Sequence, residues 1–130
     1  MNIIDENVIN SQRTQLIDWN VSVKQIGFEV GRKGLKDRNE IIPLLHSLRA
    51  PTFFTRDNDF YDKKLCHTKY SIVYLKVNEN QVAENVRSFL RHPEFNTFAK
   101  RQGLVIRLTS STVHYWKINL DEEHTLDWNI

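Results

Sequence analysis

Short runs of β-branched and aromatic residues alternate along this chain with stretches whose apolar residues recur at helical spacing, and this alternation restricts the fold more than any other feature. The strand-type runs are 2–6 (NIIDE), 21–30 (VSVKQIGFEV), 50–57 (APTFFTRD), 69–77 (KYSIVYLKV), 103–109 (GLVIRLT) and 112–119 (TVHYWKIN). Helical spacing appears at 37–48 through Ile41, Leu44, Leu45 and Leu48, and at 79–91 through Val82, Val86, Phe89 and Leu90, and a short helix starting at Asn10 or Ser11 is expected over 10–18. A shorter helix is expected over 93–102, from Pro93 at a favoured first-turn position to Gly103. Asp37 is placed to cap the second helix, with Glu40 three residues on, and Pro43 inside that helix should distort it. Strands that alternate with helices predict an α/β domain with a mostly parallel sheet. The last two strands are too close for a parallel crossover, so a C-terminal β-hairpin turning at Ser110 and Ser111 is expected.

A chain of 130 residues fits one domain, 1–130, and no linker or repeat divides it. No apolar run approaches the ~20 residues of a membrane span, so no membrane partner is expected. The lone cysteine, Cys66, rules out an intrachain disulfide and cysteine-rich zinc sites. With no basic-then-apolar leader visible at the start, the expected setting is cytoplasmic. The net charge is only +2, but Arg32, Lys33, Lys36 and Arg38 cluster around Asp37. Such clustering gives a near-neutral protein a basic face for a polyanion, although solvated surface Lys and Arg is the commoner role.

Two strand-type runs end in acid: Ile3 and Ile4 lead into Asp5 and Glu6, and 52–55 lead into Asp57 and Asp59. In an open α/β sheet, ligands bind beyond the carboxyl ends of the strands. The long loop over 27–36 could deliver Asp37 to the same edge, so that three to five carboxylates converge in one cleft. Asp57 and Asp59, two residues apart, share a face if the backbone is extended. Convergent carboxylates repel one another, and Mg²⁺ or Mn²⁺ relieves that repulsion with oxygen ligands suited to phosphodiester hydrolysis. Asp also caps helices and turns, so the residues alone leave a metal site and ordinary capping both open.

The ordered set Asp5-Glu6-Asn7, Gly34-Leu35-Lys36-Asp37 and Thr55-Arg56-Asp57-Asn58-Asp59-Phe60 resembles the PIN-like nuclease family related to VapC-type toxins. The likeness covers residues 1–77, the motif-bearing core, and leaves the helices and hairpin of 78–130 unexplained. It implies a PIN-like three-layer α/β/α fold and a Mg²⁺- or Mn²⁺-dependent endoribonuclease, the toxin of a toxin–antitoxin pair restrained by a small antitoxin protein. It also implies Asp5, Asp37, Asp57 and Asp59 as catalytic, metal-holding acids. Glu6, Asn7, Glu40 and Thr55 would support them, Asn7 by orienting Asp5. Arg32, Lys33, Lys36 and Arg56 would position the RNA backbone.

The rival reading within the same fold is a catalytically silent module that binds RNA or protein. A receiver-like signalling domain is disfavoured, because it needs a Lys-Pro pair and Pro43, Pro51 and Pro93 follow Ile42, Ala50 and His92. The hairpin, with Tyr115 and Trp116, reads as sheet extension before it reads as a homodimer or partner surface. The five histidines lack metal-ligand spacing, and Cys66 reads as an idle thiol.

Overall fold

The computed structural model describes residues 1–128. Seven strands form one sheet: β1 (Asn2–Ile4), β2 (Lys24–Gln25), β3 (Thr52–Thr55), β4 (Ser71–Leu75), β5 (Leu104–Leu108), β6 (Thr112–Lys117) and β7 (His124–Asp127). The helices are α1 (Asn10–Asp18), α2 (Arg38–Ser47), α3 (Val82–Arg91) and the single turn α4 (Phe98–Arg101). The strand order is β2-β1-β3-β4-β5-β6-β7, with β1 to β5 parallel and β6 and β7 antiparallel. The chain therefore runs outward from β1 to β2 on one side and to β3 on the other. That reversal is the switch point of a doubly wound sheet.

Strands covered by helices on both faces carry apolar residues at successive positions, as Ile3 and Ile4 of β1, Phe53 and Phe54 of β3, and Ile72 and Val73 of β4 do. Ile3, Phe53, Ile72 and Val105 face one way and pack with Ile41 and Leu45 of α2. Ile4, Phe54, Val73 and Ile106 face the other way and pack with Leu16 of α1 and Val86 and Phe89 of α3. The result is a layered α/β architecture with one core on each side of the sheet. Among the described residues no helix is long and apolar enough to cross a membrane.

Four local expectations change. The strand over 21–30 shrinks to Lys24–Gln25, because Gly27 takes φ +87° and the chain turns there, leaving Phe28 exposed while Ile26 is buried. The helix over 93–102 shrinks to Phe98–Arg101, because Phe95 drops into the core onto Phe89, ring centroids 4.9 Å apart, and Thr97 starts the turn as its cap. Helix α2 runs through Pro43, which removes only the hydrogen bond to the Asn39 carbonyl. Strand β7, which carries one core-facing apolar residue, Leu126, was not expected; its pairing with β6 places it.

Candidate functional site

Asp5 leaves the end of β1 beside the end of β3, at the switch point. Its backbone N–H donates to the Phe54 carbonyl at 3.0 Å, which continues the β1–β3 register by one residue and sets Asp5 next to Thr55. Thr55 is fully buried, and its hydroxyl donates to Asp5 Oδ2 at 2.7 Å while accepting from the Asp57 backbone N–H at 3.1 Å. One hydroxyl thus ties the first acid to the second. Asp5 is itself buried, and its titration is shifted upward. Desolvation by burial is the largest cause; the Thr55 hydrogen bond opposes it, as do the backbone amides of Glu6 and Asn7, while the charge of Asp57 adds to it.

The other acids sit where local structure uses them. Asp57 caps the 3-10 turn Asn58–Phe60 by accepting from the Asp59 N–H at 3.0 Å. The backbone is therefore not extended between Asp57 and Asp59, and the expected shared face does not form. Asp37 caps α2, accepting from the Glu40 N–H at 3.2 Å. Glu40 pairs with Arg32 at 3.2 Å. Glu6 turns away from Asp5 and accepts from the Gly34 N–H at 2.9 Å, anchoring the 31–36 loop. Asn7 acts on Asp5 through its backbone amide and lines the cleft beside it.

The acids do not share a single cleft. Asp5, Asn7, Val8, Arg56 and Asp57 line a depression of about 240 Å³. Lys36, Asp37, Arg38, Asn39, Asp57 and Asp59 line a larger one of about 660 Å³. Asp57 belongs to both, so the four aspartates are distributed along two adjoining hollows. The reason is the loop from 27 to 37, which brings Asp37 to this edge but spends it on the start of α2. Among the described residues no three His, Cys, Asp or Glu side chains gather as ligands for one ion. What is present, a pair of carboxylates at Asp5 and Asp57, is chemically suited to a hard cation that keeps most of its waters and takes one or two carboxylates.

The cations divide as well. Lys36 stands in the larger hollow, and Arg56 lines the smaller one while donating to the Val77 carbonyl at 3.0 Å. Arg32 is engaged by Glu40, and Lys33 lies 5.8 Å from the Phe28 ring centroid. Arg38 was counted in the basic cluster but not among the residues expected to position RNA. It lines the larger hollow and holds Asp62 at 2.7 Å and the Asp59 carbonyl at 3.0 Å. Its place directly after the helix cap was the available signal, since a first-turn residue projects at the same edge as its cap.

Compared with protein-family models, with curated proteins and with solved structures, the chain matches none.

Proposed function

We propose that the protein is a metal-dependent endoribonuclease with a PIN-like fold, working as the toxin of a toxin–antitoxin pair. The observation that carries the nuclease reading is the Thr55 hydroxyl joining buried Asp5 to Asp57 at the sheet's switch point. The toxin role and the antitoxin partner rest on the resemblance of the Asp5, Asp37 and Asp57 motifs alone.

In this reading Asp5 and Asp57 hold a Mg²⁺ or Mn²⁺ ion, which supplies an activated water and Lewis-acid stabilisation of the phosphate when bound. Thr55 fixes Asp5 Oδ2, and the Asp5 carboxylate would meet the ion with the lone pairs that Thr55 and the Glu6 and Asn7 amides leave. Asp37 and Asp59 act from the neighbouring hollow. Lys36 and Arg38 face the phosphodiester there and offset its charge, and Arg56 does so beside Asp5. Burial of Asp5 favours its protonated form, so proton and metal compete for the same carboxylate.

The test is cleavage of a labelled RNA with Mg²⁺, with Mn²⁺ and with EDTA, together with thermal unfolding in each, for wild type and Asp57→Asn. Metal-dependent cleavage, and a midpoint that rises with metal only in the wild type, are expected. RNA that binds equally with or without metal and stays intact would replace the nuclease with the silent binding module.

A further inference from the structure

The register of the sheet draws a line of side chains across the α2 side. Asp5 stands beside Thr55, Thr55 pairs with Tyr74, Tyr74 with Arg107, Arg107 with His114, and His114 with Thr125. All six face the same way, because their neighbours two residues back on β1, β3, β4 and β5 (Ile3, Phe53, Ile72 and Val105) belong to the α2-side core. At the level of Ile3 to Val105 the face is buried. One step toward the carboxyl edge it opens, and Tyr74, Arg107 and His114 are half-exposed.

This open strip carries the alternation of aromatic and cationic groups that single-stranded nucleic acid needs. The Arg107 guanidinium lies 5.0 Å from the centroid of the Tyr61 ring, which supports it from the segment between β3 and β4. The Lys63 ammonium lies 5.6 Å from the Trp116 ring, one register step behind. Two of the acids nearby are paired, Asp62 with Arg38 and Asp121 with Lys63, while Glu123 accepts from the Tyr61 hydroxyl and keeps its charge. Among the described residues Arg107 and Arg56 form no ion pair, so their charge is available to a polyanion. The strip is also continuous with the acid site. Arg56 lines both the Asp5 hollow and a further depression of about 300 Å³ with Tyr74, Lys76, Asn78 and Gln81. Two strand spacings put Arg107 about 10 Å from Thr55, so a strand held there reaches the acids.

We infer that the half-exposed strip Tyr74–Arg107–His114, backed by Tyr61, is a binding track for single-stranded RNA that feeds the Asp5–Asp57 site. Bases stack on the Tyr74 ring and on the open face of the Arg107 guanidinium, and the phosphates meet Arg107 and Arg56. A duplex cannot offer its bases to such a strip. The inference rests on the nuclease reading for its substrate, but binding can be measured without cleavage.

The experiment is fluorescence anisotropy in EDTA with a labelled single-stranded RNA of about a dozen nucleotides, and with the same RNA as a duplex. Wild type, Arg107→Gln, Tyr74→Leu and, as a control on the opposite face, Arg91→Ala are compared after thermal unfolding shows each folded. Single strand should bind more tightly than duplex. Arg107→Gln and Tyr74→Leu should each weaken binding by about five-fold or more, and Arg91→Ala should not. Tight binding that depends on Arg107 or Tyr74 without any later cleavage supports the track and removes the nuclease. Binding that ignores both substitutions, or that is equally strong for duplex, overturns the track whether or not RNA is cleaved.

Discussion

Replacing Thr55 with Val keeps the shape of a fully buried side chain and deletes the hydroxyl that serves two partners. Asp5 Oδ2 loses a donor at 2.7 Å, and the Asp57 N–H loses an acceptor at 3.1 Å. A hydrogen bond to a charged group contributes about 1.5–3 kcal/mol, and a neutral one about 1 kcal/mol. The Asp57 N–H is only partly buried and regains water, so the first figure dominates and the expected loss is about 2–3 kcal/mol at neutral pH. With a urea dependence of about 2 kcal/mol per molar, the midpoint falls by roughly 1 M, readable from tryptophan fluorescence. The loss should depend on pH in a defined direction. Asp5 titrates higher in the folded protein than in the unfolded chain, so the folded state holds the extra proton and stability falls as pH rises through that window. The hydrogen bond from Thr55 stabilises the charged form, and removing it moves the folded titration still higher. The deficit of Thr55→Val is therefore largest where Asp5 is ionised and shrinks as acidification protonates it. In metal-free buffer, the same substitution in an Asp5→Asn background should cost clearly less. A pH-independent loss, or equal losses in both backgrounds, would refute the bridge as the source of the effect.

Other outcomes follow from single positions. Gly27 has φ +87°, and a Cβ there would meet Glu6 Oε2 at 2.6 Å. Gly27→Ala should cost about 1–2 kcal/mol and speed amide exchange at Gly34, whose N–H depends on Glu6. Arg101 is buried and bonds the Thr52 hydroxyl at 3.0 Å and the Phe95 carbonyl at 2.6 Å. Arg101→Met leaves both oxygens without that donor and should lower stability by about 2–4 kcal/mol in chemical denaturation.

Helices α2 and α3 were readable because their apolar spacing is local, and Asp37 caps α2 as its position before Arg38 suggests. Helix α1 has no apolar face to read, yet it occupies Asn10–Asp18 as expected from its polar start at Asn10. The strand ends at Asp5 and Asp57 were readable too, since an apolar run that stops at acid marks a sheet edge. Strand β7 was not legible, because an edge strand with one core-facing apolar residue has no pattern of its own and is fixed by its neighbour β6. Gly27 shows the opposite failure: its flanks alternate like a strand, yet a positive φ turns the chain.

By itself the sequence determined an α/β domain with a mostly parallel sheet, because strand-type runs alternate with stretches long enough to cross back over it. It also placed Asp5 and Asp57 where two strands end, and left the arrival of Asp37 at that edge to the 27–36 loop. Which acids meet was decided only in three dimensions. The β1–β3 register set Asp5 against Thr55, and the 3-10 turn after Asp57 placed Asp59 in the larger hollow, away from Asp5. The row from Thr55 through Tyr74 and Arg107 to His114 joins residues from four different strands. Strand pairing alone aligns them, because a shift of one residue in any ladder would turn that strand's side chains to the other face.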